Sequence, residues 1–364
     1  VKKFFKILFL FPFSLLYGLV VRIRNKMFDF GILHEKKFEV PIISIGNITV
    51  GGTGKTPHTE YVLSLLKDLG IKVAVVSRGY KRKTRGYVLA SQKSTAIEIG
   101  DEPFQIKKKF PDAFVAVDVK RERAIQNLLS QKDSPQVFVL DDAYQYRFVL
   151  AGLSILLIDY NRLIYEDFLL PMGRLREPAS ERYRADILIV TKCPQNMRPI
   201  EMRIIDKNLN FAPTQRLYFS CFNYGNVYNL FDAKKCYSAE LLRKCETQIL
   251  IVTGVASPEP LYHYISEKVG TYETIQFSDH HSFTKENWAR IAKKYATMKG
   301  KKKFILVTEK DAARIYSDVN VPKALKNDIY TIPLHVNFLC NGEETFKNQI
   351  INYVRENKRN GRFS

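Results

Sequence analysis

The sequence predicts an α/β protein of two α/β/α lobes preceded by an apolar helix, on three observations. Short β-branched apolar runs alternate with helical periods from about residue 42 to 211. A glycine-rich turn, GNITVGGTGKTP, lies between one such run and the helix after it. Past an aromatic stretch broken by Asn and Gly, strand and helix patterns alternate again toward the C-terminus. The expected units are an N-terminal helix over 1–30, a main lobe over 31–211, a β-hairpin linker over 212–232 and a smaller Rossmann-like lobe over 233–364.

A chain of 364 residues with 46% hydrophobic content fills real cores, which excludes whole-chain disorder. The 57 Lys and Arg against 37 Asp and Glu leave a formal charge of +20, which favours nucleic acid, an anionic membrane face or phosphorylated substrates. Five scattered cysteines without a C-x-x-C pair fit neither a disulfide scaffold nor a zinc cluster, and point to a reducing cytosol.

Phe4 to Val21 reads FFKILFLFPFSLLYGLVV, with Lys2 and Lys3 before it and Arg22, Arg24 and Lys26 after it. Lys6 and Pro12 interrupt a stretch already at the lower limit for spanning, so a segment lying in or dipping into one leaflet is expected, the rival being an apolar helix packed on the domain. A secretory signal is disfavoured because no small-x-small site follows and a nucleotide loop, which needs cytosolic ATP, comes next. Basic charge on both flanks gives no orientation.

EVPIISIG is a strand pattern, GNITVGGTGKT a turn, and PHTEYVLSLLKDLG a helix opened by Pro57. Strand, glycine turn and helix are the context a phosphate loop requires. Gly51, Gly52 and Gly54 let backbone N–H groups face phosphates, Lys55 reaches the outer two, and the Thr56 hydroxyl suits Mg²⁺. The nucleotide contacts are expected over Thr49, Val50, Gly51, Gly52, Thr53, Gly54, Lys55 and Thr56, although Thr49 stands where G-x-x-x-x-G-K-[ST] has its first glycine. This half therefore looks like a P-loop NTPase core.

The strand KVAVVS runs into RGYKRK, where Arg78, Lys81, Arg82 and Lys83 either clamp a phosphate or form a solvated loop. PQVFVLDD ends a buried strand on Asp141 and Asp142, the layout of carboxylates that organise Mg²⁺. In EIGDEPFQ, Asp101 and Glu102 open a helix, which capping explains, but the loop lies between strand ends already assigned to phosphate and metal. LSILLIDY and ADILIVTKC read as further parallel strands, and in LLPMGRLREP between them Arg174 and Arg176 either meet an anionic substrate or pair with Glu177. In the second half, SDHHSF places Asp279, His280 and His281 after a strand, either an acid–base pair at a cleft or a surface turn. No G-x-G-x-x-G appears there, so a second dinucleotide site is weakly supported.

IGNITVGGTGKTP, SRGYKRK, GDEP, DDAYQ, P-x-G-x-LREP, SDHHSF and VTEKDAAR, in that order after a membrane-seeking N-terminus, resemble the tetraacyldisaccharide 4′-kinase family of Gram-negative lipid A synthesis. The resemblance spans residues 42–314. It implies ATP-dependent phosphorylation of the 4′-hydroxyl of a tetraacylated glucosamine disaccharide 1-phosphate at the cytoplasmic face of the inner membrane, by two lobes joined through a β-hairpin. By motif, Asp101 would take the hydroxyl proton with support from His280, while Lys55, Thr56, Asp141 and Asp142 handle phosphate and metal. Arg78 of SRGY, Arg121 of VDVKRERA, Arg176 and Glu177 would hold substrate or nucleotide. Tyr146 stands where the family pattern has histidine, and the choice between His280 and His281 stays open. The implied cofactors are ATP and Mg²⁺; the implied partners are the lipid A precursor and an anionic membrane surface, with the protein a monomer that binds no nucleic acid.

Phosphoryl transfer is mostly positioning and charge stabilisation, which these residue types supply. An acceptor with four acyl chains loses about 0.8 kcal/mol per CH₂ on leaving a bilayer, so the enzyme must come to the membrane. The rival is a membrane-associated ATPase switch of the MinD/ParA type, but its signature lysine position is Val50 here. A GTPase is disfavoured because VTKC lacks the Asp of T-K-x-D, and nucleic-acid binding because the basic residues are dispersed with no known module.

Overall fold

The buried strands arise where the sequence places uninterrupted β-branched runs, and they assemble into two sheets. The structure is a computed structural model that describes residues 2–279, 281–300 and 302–360. α1 (Lys2–Asp29) precedes β1 (Ile42–Gly46), the glycine turn and α2 (Lys55–Asp68). Next come β2 (Val73–Ser77), β3 (Val88–Leu89), α3 (Ala96–Ile99), α4 (Asp101–Lys109), β4 (Phe114–Val117), α5 (Arg121–Leu129) and β5 (Val137–Asp141). β6 (Leu153–Asp159), β7 (Ile187–Thr191), α6 (Pro199–Leu209) and β8 (Arg216–Tyr224) follow. The second lobe runs through β9 (Val227–Asn229), β10 (Cys236–Tyr237), α7 (Ala239–Lys244), β11 (Gln248–Thr253), α8 (Glu259–Lys268) and β12 (Tyr272–Gln276). It continues with α9 (Lys285–Thr297), β13 (Lys303–Thr308), α10 (Glu309–Tyr316) and β14 (Ile329–Ile332), before β15 (Leu334–Phe338) and α11 (Gly342–Asn360).

The larger sheet has the order β15-β8-β7-β6-β1-β5-β2-β4-β3. Every residue of β1, β2, β5 and β7 is buried, as expected of parallel strands covered on both faces. β1 lies between β5 and β6 in parallel register, Ile43 beside Val139 and Leu153, so the carboxyl ends of β1 and β5 emerge side by side. That register delivers the glycine turn and the Asp141–Asp142 pair to one edge. The smaller sheet has the order β10-β9-β14-β13-β11-β12, with β14, β13, β11 and β12 mutually parallel.

The connection between lobes differs from the expected hairpin over 212–232. β8 pairs antiparallel with β15, more than a hundred residues later, and both extend the larger sheet. β9, which falls inside the expected linker, pairs with β14 of the smaller sheet. The chain therefore crosses between lobes twice, near 225 and near 333, and the crossings are bonded by Gly225 N–H donating to the Pro333 carbonyl at 3.0 Å. The expected second unit over 233–364 is shortened accordingly. Phe346, Ile350 and Val354 of α11 pack into the first lobe's core, and Tyr353 Oη meets the Ile42 backbone at 3.0 Å.

α1 is patterned inside out. Ser14, Gly18 and Asn25 face the protein, while Phe9, Phe11, Phe13, Leu15, Leu16, Leu19, Val20 and Ile23 are exposed, Phe9 to 71%. Ser14 Oγ donates to the Leu169 carbonyl at 2.8 Å, and a Cβ at Gly18 would lie 2.7 Å from Leu169 Cδ1. Among the described residues no helix is long and apolar enough to cross a membrane.

Candidate active site

The glycine turn is shaped by its neighbours. Gly54, at φ +84°, caps α2 in the left-handed region, and a Cβ there would lie 2.6 Å from Phe222 Cζ. Lys55 opens α2, where the helix N-terminus favours anions. Asn47 Nδ2 donates to Thr53 Oγ1 at 2.8 Å and Thr49 Oγ1 at 3.3 Å, and Thr191 Oγ1 donates to the Thr53 carbonyl at 2.9 Å. The start of the turn is otherwise employed: Val50 N–H donates to the Arg174 carbonyl at 2.8 Å, and Thr49 bridges Leu175. Val50, expected among the nucleotide contacts, thus has its N–H committed to the protein. Thr49, lacking a glycine's freedom, serves a stretch that runs as a bridge rather than a cradle.

The two carboxylates that end β5 have different surroundings. Asp142, at φ +48°, has its Oδ1 3.7 Å from Lys55 Nζ and 3.1 Å from Arg176 Nη2. Burial works to raise its pKa, but Lys55 and Arg176 together hold it below the ordinary carboxylate value. Burial and then the Asp142 charge push Asp141 up to about 7, against the pull of Lys55 and a 3.2 Å hydrogen bond from Thr59 Oγ1. A buried carboxyl whose charge is opposed in this way is where a cation would be stabilising. Among the described residues no cluster of three or more His, Cys, Asp or Glu could hold a metal by itself. Two carboxylates and the Thr56 hydroxyl nonetheless fit Mg²⁺, which takes few protein ligands and completes its shell with phosphate oxygens and water.

Asp101 begins α4 and is tied to both lobes. A Cβ at Gly100, at φ +94°, would lie 3.1 Å from the Tyr80 carbonyl oxygen and 3.2 Å from Gly79 Cα, so GDEP and SRGY pack closely. Further along α4, Gln105 Nε2 and Lys109 Nζ reach Glu60 of α2 at 2.7 and 2.6 Å. Lys109 Nζ also meets Glu309 Oε1 of α10 at 3.0 Å, and Glu309 Oε2 accepts the Leu334 N–H at 3.1 Å. Burial, then the Glu309 charge, pushes Glu60 up to about 7, and Lys109 is held charged between the two acids. Asp101 Oδ2 itself accepts from Arg314 Nε of α10 at 2.7 Å. Glu102, next in the chain, lies close enough to raise the pKa of Asp141. The helix of GDEP, the helix after the glycine turn and the second lobe thus pack together at one junction.

The arginines expected to hold substrate fall in the same region with unequal freedom. Arg121 is buried at the start of α5, stacked 4.5 Å from the Tyr146 ring, with its Nε unpartnered and Arg78, Asp141 and Asp142 within electrostatic range. Tyr146, the departure from the family's histidine, has a structural explanation: its hydroxyl accepts the Arg121 N–H at 3.1 Å and bonds Glu122. Arg78 is exposed at the end of β2. Arg176 Nη2 bonds the carbonyl and side-chain oxygens of Asn47 as well as Asp142, which locks the end of β1 to the end of β5. Glu177 turns inward at 1% exposure, accepting from Asn25 at 3.2 Å, Gln145 at 3.3 Å and Arg184 at 2.6 Å. This enclosure makes Glu177 a framework anion between α1 and the DDAYQ loop. α1 is pinned to the site by two more bonds, Tyr17 Oη to the Arg176 carbonyl at 2.8 Å and Arg24 Nη2 to the Gln145 carbonyl at 2.9 Å.

His280, expected to support Asp101, lies outside the described residues. His281 is accounted for locally: it stacks on Phe277 at 4.4 Å and bonds Asn287 Oδ1 at 2.7 Å, bracing the start of α9. Asp279 pairs with Lys310 at 3.2 Å.

Three site residues escaped the sequence reading. Asn47 and Arg314 sit inside quoted motifs, but nothing in their spacing shows what they touch. His58 follows Pro57 and is fully buried, with Nδ1 2.8 Å from the Gly54 carbonyl and Nε2 3.0 Å from Ser220 Oγ. The carbonyl requires a proton on Nδ1, so Nε2 accepts from Ser220, and the neutral ring links the glycine turn to β8. Burial lowers the His58 pKa from 6.5 to about 4, against the raising effect of Gly54. A depressed histidine pKa means that the unfolded state takes up the proton first, so stability falls as pH drops from 6.5 toward about 4. The maximal slope is about 1.4 kcal/mol per pH unit. Urea unfolding at several pH values should show His58→Gln less acid-sensitive than the unaltered protein; parallel pH profiles would remove His58 as the origin.

The chain's relatives can now be set beside this geometry. The family model described as tetraacyldisaccharide-1-P 4′-kinase matches residues 7–355. A tetraacyldisaccharide 4′-kinase of Bacteroides thetaiotaomicron is 48% identical over 362 residues, 98% of this chain and 95% of the relative. One from Bacteroides fragilis is 48% identical over 355 residues, covering 97% and 94%. The crystal structure of LpxK from Aquifex aeolicus in complex with ATP superimposes with a TM-score of 0.73 at 28% identity, covering 94% of this chain and 98% of that one. A match over nearly the whole length means that the chain belongs to the tetraacyldisaccharide-1-P 4′-kinase family.

Proposed function

We propose that the protein transfers the γ-phosphoryl group of ATP to the 4′-hydroxyl of a tetraacylated glucosamine disaccharide 1-phosphate, forming a lipid A precursor. The observation that carries this reading is a junction: α4, which begins with Asp101, is bonded to the helix after the glycine turn through Glu60 and to the second lobe through Arg314. Nucleotide phosphates bound at Lys55 and Thr56 would face an acceptor hydroxyl near Asp101. The acceptor oxygen bonds to the γ-phosphorus as the bond to the bridging oxygen breaks; ADP leaves, and the hydroxyl proton passes to the Asp101 carboxylate. Lys55 and the α2 N-terminus neutralise the charge that develops on the phosphoryl oxygens, and Arg121 and Arg176 supply further positive charge beside Asp142. Mg²⁺, held by Thr56, Asp141 and Asp142, would supply charge neutralisation at the phosphates when bound.

The acceptor's acyl chains explain α1. A groove of about 270 Å³ lies between α1 and residues 164–179, with Phe11, Leu15, Leu169 and Leu175 among its walls beside Arg22 and Asp167, and its mostly apolar lining suits an acyl chain. The outward row on α1 suits lipid: burying a Leu or Phe side chain contributes about 1.5–3 kcal/mol, so four reach roughly 6–12 kcal/mol. A micromolar association requires about 8 kcal/mol. With Arg22 and Lys26 beside that row, the protein sits on an anionic surface, which the kinase reading places at the cytoplasmic face of the inner membrane.

The test incubates detergent-solubilised protein with Mg²⁺, γ-labelled ATP and the disaccharide 1-phosphate acceptor, and floats it with anionic vesicles. Labelled lipid and co-flotation are expected. Robust ATP turnover with no labelled lipid would instead favour an ATPase switch, and protein remaining at the bottom of the gradient would remove the membrane assignment.

A further inference from the structure

Resting on the kinase reading, we propose that Arg314 is the positioning residue through which the second lobe orients the Asp101 carboxylate toward the acceptor hydroxyl. Its side chain is only 8% exposed, and its Nε donates to Asp101 Oδ2 at 2.7 Å across the interface between lobes. From behind it is held by Asp311 Oδ1 at 3.2 Å and by the Gly254 carbonyl at 3.4 Å.

Asp311 is itself fixed. It is fully buried, and accepts from Thr253 Oγ1 at 3.0 Å, Thr308 Oγ1 at 2.8 Å and Gly254 N–H at 3.1 Å. Thr253 and Thr308 end β11 and β13, so the cation is braced at the carboxyl ends of two neighbouring parallel strands. In an open α/β sheet that position commonly binds a ligand. Here it presents a side chain to the other lobe, which gives the second lobe a use without a dinucleotide motif.

The bracing also reaches along the helices. Phe104 of α4 lies 6.1 Å from Tyr316 of α10, Lys108 sits over the same ring at 4.2 Å, and Lys109 meets Glu309. Two packed helices therefore fix the separation between the Arg314 and Asp101 backbones. A planar guanidinium with several bonded nitrogens restricts where the carboxylate can point more than a lysine ammonium would. Misplacing a reacting group by about 1 Å can lower a rate by roughly 10²-fold.

Arg314→Met should lower kcat for lipid phosphorylation by about 10²-fold, with ATP KM and ATP binding changed less than about threefold. Arg314→Lys, which returns the charge to Asp101 without the planar fork, should recover only the smaller part of that loss, and full recovery would show that charge alone, not orientation, is what Arg314 supplies. In an Asp101→Asn background Arg314→Met should lower the residual rate no further, because its route to the reaction is already gone. Should Arg314→Met fail to fold, Arg314→Gln is the replacement, with the same expectations. Unchanged kcat, or the same loss in both backgrounds, would overturn the positioning role while leaving the kinase reading intact. Absence of lipid phosphorylation by the unaltered protein would remove that reading and this inference with it.

Discussion

Asp101→Ala is expected to lower kcat for lipid phosphorylation by 10²-fold or more, within the roughly 10²–10⁴-fold that general-base catalysis contributes. ATP affinity should stay near its original value, because the expected phosphate contacts lie on the Lys55 loop and the N-terminus of α2. If the carboxylate acts only in the transition state, kcat and kcat/KM fall together. The competing account is helix capping: Asp101 is the first residue of α4, and an acid there stabilises a helix by about 0.3–1 kcal/mol. Capping predicts a small drop in melting temperature and ordinary turnover. Steady-state kinetics and a thermal melt on one preparation separate the two, and unchanged turnover would return Asp101 to the role of a cap.

The parts of this site that the sequence declares are those written in consecutive residues. GGTGKT between a β-branched run and a helical period specifies a phosphate loop locally, and an apolar strand ending in Asp-Asp announces its partner. Strand pairing chosen over long distances leaves no such mark. LHVNF is a weak strand pattern, and only burial against β8 makes it the edge of the larger sheet, so the hairpin expected at 212–232 was sought too near in the chain. Charged residues mislead for a related reason. The resemblance gave Glu177 a ligand contact, and nothing local reveals that Asn25, Gln145 and Arg184 converge on it from three other segments. Arg314 and Asp101, 213 positions apart, are joined only by the way two lobes pack. α1 shows the converse: its apolar content was plain, but that Ser14, Gly18 and Asn25 form the inner face follows from the small residues letting the helix approach the 164–179 segment.

Gly54→Ala should lower kcat/KM for ATP by roughly 10²-fold or more, through two separable effects. The first is backbone strain, since φ is +84° and a non-glycine residue in the left-handed region costs about 1–2 kcal/mol. The second is overlap: the new methyl carbon would lie 2.6 Å from Phe222 Cζ and 3.4 Å from His58 Nδ1. Phe222 yields only in part, because its half-buried ring packs against the core and beside His58. The rest of the overlap displaces the turn, which carries Lys55 with it. Trimming the obstacle tests the division. Gly54→Ala with Phe222→Ala should recover the steric part and retain the strain, leaving activity within about 30-fold of Phe222→Ala alone, as 1–2 kcal/mol allows. No recovery would mean that the left-handed backbone dominates, whereas normal turnover by Gly54→Ala alone would show that the loop tolerates a side chain where the geometry leaves no room for one.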